Sequence, residues 1–198
     1  MNGPTPQASG GARHILVAGL GNVFLHDDGF GPEVVRRLQR RPLPPGVRVF
    51  DFGTGGLHLA YELMRGYDAL VLVDASRQGG APGTLYVIEP DPEDFAEGIE
   101  DGDALDPHAM DPLSVLRFVK SIAGWPGPVR IVACEPGDVD AVELGLSRAI
   151  DEAVGHAVDA VEATVRKLRA GPASARPPGV EDAPGSAGAG ASAQRAGG

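Results

Sequence analysis

The sequence predicts an α/β protein built on a mixed five-stranded sheet, and three observations carry that reading. Apolar runs of strand length alternate with segments of helical period. Two of the runs are almost continuously apolar, as central strands covered on both faces are. One connection, the eight residues "SRQGGAPG" between Ala75 and Thr84, is too short for a parallel crossover, which needs about a dozen residues or more. The strand that begins at Thr84 should therefore run antiparallel to the others.

The elements follow in order. "HILVAG" (14–19) and "ALVLVDA" (69–75) are the continuous runs and belong at the centre of the sheet. "VRVFDFG" (47–53) alternates more and belongs nearer an edge; "TLYVIEP" from Thr84 and "VRIVACEP" from Val129 complete the five. A helix is predicted over 32–41, with Pro32 suited to a first turn. A second covers 57–65 with Gly66 as its stop, and a third covers 112–123. The last and longest should begin near Ser147, because Ile150, Val154, Val158, Val161, Val165 and Leu168 form one apolar stripe.

Composition narrows the function. With 198 residues, 42% of them hydrophobic, the chain can bury one sizeable core, so one domain and one site are expected. That domain spans 14–170. The flanks, 1–13 and 171–198, hold almost nothing that could anchor to a core; 22 of the last 28 residues are Gly, Pro, Ala or Ser, and both ends are expected to be disordered. A net charge of -10 argues against nucleic acid, which requires a basic surface. No apolar run is long enough to span a bilayer and no signal-peptide pattern opens the chain, so a cytoplasmic protein is expected. The single cysteine, Cys134, agrees with a reducing compartment. Residues 89–106 carry nine acids and no Lys or Arg, which reads as a solvated segment or as a docking surface beside the site.

The stretch "GLGNVFLHDDGFG" (19–31) is the least ordinary part of the chain. A dinucleotide fingerprint would need a third glycine where Phe24 stands, and a helix starting at once so that its N–H groups face a pyrophosphate. Here "VFLHDDGFG" intervenes and places Asp27 and Asp28 where an anion would sit. The same loop suits a cation, since an aspartate at the C-terminal edge of an α/β sheet projects into the crevice where such folds bind ligands. Asp74 ends the strand "ALVLVD", Asp51 ends its neighbour, and His108 precedes a helix in "LDPHAMDPLSVL". One or two carboxylates with one histidine suit a transition-metal site with open positions. Each residue also has a plainer reading: the aspartates as turn or cap residues, the histidine as surface. Cys134 reads as core filler rather than nucleophile, and no serine stands in a G-x-S-x-G elbow. His14, His26, His58 and His156 read as surface or packing residues, His26 being notable for its place beside Asp27.

These pieces, in this order, resemble the maturation endopeptidases of nickel-iron hydrogenases over roughly residues 15–168. "ILVAGLGNVFLHDDGFGPEVVRRL" is similar to the family's first strand and acid pair, and "DFGTGGLHLAYEL" to its second strand and glycine loop. "VLVDA" is similar to its central strand, "PGTLYVIEP" to its antiparallel strand and "DPHAMDPLSVL" to its histidine segment. The resemblance implies a phosphorylase/hydrolase-like three-layer α/β/α sandwich with strand order 2-1-3-5-4 and strand 4 antiparallel. It implies an endopeptidase that removes the C-terminal extension of the hydrogenase large-subunit precursor once nickel is inserted, acting as a monomer. Nickel, presented by the substrate, would meet Asp28, Asp74 and His108. Asp28 or Asp51 would then serve as general base, and the glycine loop 53–56 either donates N–H groups to an oxyanion or is a tight turn. A non-catalytic module that checks the loaded subunit without cutting is the competing expectation.

Overall fold

The computed structural model describes residues 12–91, Arg117, Lys120 and 127–171. Five strands form one sheet: β1 (Ile15–Leu20), β2 (Val47–Gly53), β3 (Ala69–Ala75), β4 (Leu85–Ile88) and β5 (Val129–Cys134), in the order β2-β1-β3-β5-β4. β2, β1, β3 and β5 run parallel, and β4 pairs antiparallel with β5. The short connection is the cause. Eight residues carry the chain past the end of β5 to its far side but cannot return it to the starting end.

The continuous runs at β1 and β3 are fully buried from Ile15 to Ala18 and from Ala69 to Val73, and alternate residues serve opposite layers. Ile15, Val17, Val71 and Val73 pack against α1 (Phe30–Leu38) and the long helix α3 (Arg148–Ala170). Leu16, Ala18, Leu70 and Leu72 pack against Leu59, Ala60 and Leu63 of α2 (Gly56–Leu63). The result is the α/β/α sandwich. Every member of the α3 stripe from Ile150 to Leu168 is buried. β2 and β4 form the edges, in keeping with the weaker apolar character of β2.

Helix α1 begins at Phe30, two residues before the predicted start, because a 3-10 turn over His26–Gly29 runs directly into it. Pro32 still falls in the first turn, where its missing N–H has no helical partner to lose. The helix expected over 112–123 lies outside the described residues apart from Arg117 and Lys120, both helical. Outside them too fall the acidic stretch beyond Asp91, His108, and the two end segments except Ala12, Arg13 and Gly171. The Arg13 guanidinium donates to the Leu168 carbonyl near the end of α3.

Candidate active site at the carboxyl edge of the sheet

The parallel register sets the site. Gly19 lies opposite Asp51 of β2 and Val73 of β3, so Asp51 and Asp74 stand at the same end of the sheet, on either side of the loop that leaves β1. That loop makes a tight return. Gly21 has φ +127, and a Cβ there would lie 1.9 Å from the Asp28 carbonyl oxygen. At Gly31 a Cβ would meet the Leu20 and Val73 carbonyl oxygens at 2.1 and 2.5 Å. The start of α1 therefore rests on the ends of β1 and β3, with Asp28 held just above.

The two adjacent aspartates have different surroundings. Asp27 is fully buried, and its carboxylate accepts four hydrogen bonds: from the amides of Gly137 (2.9 Å), Asp138 (3.0 Å) and Ser147 (2.7 Å), and from the Ser147 hydroxyl (3.1 Å). Burial alone pushes its pKa up. The hydrogen bonds from Asp138, Ser147 and Gly137 outweigh that and hold the carboxyl below the usual carboxylate range. Asp28 accepts a 2.7 Å hydrogen bond from the Asn22 amide, and its pKa is raised because burial outweighs that single bond. A half-buried carboxylate so sparsely compensated gains most from an approaching cation.

Asp51 is exposed, and one of its oxygens accepts a 2.8 Å bond from the Gly53 amide, an Asx turn. In the glycine loop the N–H groups of Gly53, Gly55 and Gly56 bond to Asp51, Phe52 and Thr54. Gly53 itself has φ +53. Those three donors are engaged within the turn, in keeping with the tight-turn reading of the loop. Asp51 also lines a cleft of about 530 Å³ together with Val23, His26, Glu33, Arg36 and Leu144.

The sequence profile of the hydrogenase maturation proteases matches residues 32–164. The chain belongs to the hydrogenase maturation protease family. Among its relatives, the hydrogenase expression/formation protein HupD of Rhodobacter capsulatus is 30% identical over 79% of this chain and 71% of its own length. The maturating endopeptidase HybD from Escherichia coli superposes with a TM-score of 0.62 at 28% identity, covering 78% of this chain and 93% of that one. The hydrogenase 2 maturation peptidase of a Thaumarchaeota archaeon gives 0.58 at 31%, covering 77% and 98%. The protein is thus a hydrolase, an endopeptidase of hydrogenase maturation.

The surroundings of the sole cysteine disfavour its thiolate. Cys134 is completely buried, and burial, followed by the nearby Asp27 charge, pushes its thiol up to about 11. The residue after it is one that sequence reasoning missed. Glu135 is buried and accepts the amides of Gln78 (2.6 Å) and Gly80 (3.1 Å), which fastens the β3–β4 connection over the end of β5. Burial raises its pKa, but those bonds prevail and leave it lowered. A signal for it existed: an acid directly after an apolar strand, the same pattern that singled out Asp74. The role of Asp27 had no such signal, because its partners lie 110 to 120 residues away in sequence.

Of the expected site residues, Asp28, Asp51 and Asp74 share the carboxyl edge, and His108 lies outside the described residues. Among the described residues no group of three His, Cys, Asp or Glu side chains forms a metal site.

Proposed function

We propose that this protease removes the C-terminal extension of a nickel-iron hydrogenase large-subunit precursor, and that it reads nickel held by the precursor through Asp28, Asp74 and His108. The observation that carries the proposal is Asp28: a half-buried carboxylate with one amide donor, in the loop that leaves β1 at the edge where the neighbouring strand β3 carries Asp74. Oxygen donors from Asp28 and Asp74 with one imidazole suit a borderline metal that keeps positions for the substrate's own ligands. Nickel on the substrate would supply a fixed reference point and positive charge, so the scissile bond is placed by coordination rather than by an extended sequence motif.

The chemistry left to the chain is proton transfer. Water attacks the scissile carbonyl carbon, a carboxylate takes its proton, and that proton passes to the leaving amine as the C–N bond breaks. Asp28 or Asp51 is the candidate base. Burial favours Asp28 by raising its proton affinity, while Asp51 keeps one oxygen outside its Asx turn.

Mass spectrometry of the large-subunit precursor after incubation with the protease tests this. Loss of the C-terminal peptide from nickel-loaded but not nickel-free precursor is expected. Equal cleavage of both would remove nickel as the cue, and unchanged mass in both would refute the substrate. His108→Ala and Asp74→Ala should each slow processing about 100-fold or more, whereas Cys134→Ala leaves it within about twofold.

A further inference from the structure

Four of the large exposed apolar side chains gather in two short segments: Val23 (44% exposed) and Phe24 (61%), with Val142 (86%) and Leu144 (72%). The segments are joined. Leu25 and Glu143 form a parallel bridge, the Glu143 amide donates to the Phe24 carbonyl, and the His26 amide donates to the Glu143 carbonyl. Val23, His26 and Leu144 line the cleft beside α1. His26 holds φ +45, a conformation that costs a non-glycine residue energy, and its buried Nδ1 makes no hydrogen bond but lies 4.0 Å from the Glu143 carboxylate. At the rim Glu143 is 68% exposed, while Asp140 and Asp151 are paired with Arg77 (3.6 Å) and Arg37 (2.6 Å).

This strip is continuous with the site. The Asn22 side chain accepts the Phe24 amide while the Asn22 amide donates to Asp28, so one residue couples the apolar tip to the carboxylate expected to meet nickel. A partner seated on Phe24 and Leu144 is thereby registered against Asp28. We infer that the Val23–Phe24 and Val142–Leu144 strip is the docking surface for the large-subunit precursor. It seats an apolar side chain of that subunit flanked by a basic residue that meets Glu143. The inference rests on the substrate proposed above. The apolar tips supply contact area, and the exposed Glu143 carboxylate selects for a cationic neighbour.

Cleavage kinetics on nickel-loaded precursor provide the test, using Phe24→Ser, Leu144→Ser and Glu143→Lys. Each variant should raise KM about tenfold or more and leave kcat within about twofold. Val87→Ser, an exposed apolar residue on edge strand β4 (56% exposed), should match wild type. Wild-type KM in the Phe24 and Leu144 variants, or an equal rise in Val87→Ser, would overturn the docking surface. So would a wild-type dimer that Leu144→Ser dissociates, since the strip would then serve a second copy. If wild type fails to cleave the precursor at all, the substrate reading falls; if it cleaves and the variants do too, only the docking surface falls.

Discussion

Asp27 and Asp28 are neighbours with opposite thermodynamic signs. Asp27 has a folded pKa below its unfolded value near 3.8, so its ionised form stabilises the fold at all pH values above that. The contribution disappears as pH falls through the lowered folded value. Glu135 behaves alike from its ordinary 4.5 downwards. Acidification below about pH 4 should therefore release both loops they fasten, which amide exchange at Gly137, Ser147 and Gly80 would detect. Replacing Asp27 by Ala leaves buried amides without an acceptor and should cost about 3 kcal/mol in urea unfolding. Asp28 runs the other way. Its raised pKa means that the ionised form weighs against folding above pH 3.8. Asp28→Asn should thus abolish processing, by about 100-fold or more, while leaving Tm unchanged or higher by about a degree or two. A clear drop in Tm would show that the carboxylate is structural.

At the scale of elements, the site depends on how closely α1 rests on the sheet. Gly31→Ala forces a Cβ against two strand carbonyls, and the helix can accommodate it only by moving away from β1 and β3. A loss of about 3 kcal/mol or more is expected by thermal or urea unfolding. Gly21→Ala strikes the Asp28 backbone and adds a positive-φ penalty, so activity should fall at least as steeply as stability. The elements themselves were largely readable. β2 and β3 have the bounds their patterns predicted, and the antiparallel β4 followed from counting eight residues. What the pattern could not separate was Asp27 from Asp28. Both are acids in one polar loop, and the difference arises from residues 136–147, which the fold brings in from more than a hundred positions away. The apolar strip was hidden for the same reason. Val23 and Phe24 read as part of a glycine loop, and nothing in the sequence joins them to residues 142–144 until a single bridge places the two segments side by side.

Among the described residues the molecule is one sheet with two separate apolar layers, one on each face of the strands. Leu72 faces α2 and Ile150 faces β3 and β5 from the opposite side, both completely buried. Alanine at either should cost about 2–5 kcal/mol. The two losses should add within about 0.5 kcal/mol, since they share no partners. A shortfall in the double variant would show that the layers relax together. In the same way, the carboxyl edge receives loops from both halves of the chain: the β1 loop from the first, the β5–α3 loop from the second.

That convergence orders events during synthesis. Asp27 emerges from the ribosome early, but the Ser147 that receives it is made 120 residues later. Until then the loop carrying Asp28 lacks the anchor that shapes it. The nascent protease is therefore expected to stay silent toward its substrate until the start of the last helix has been translated, a delay built into the chain by the distance between two hydrogen-bonded residues.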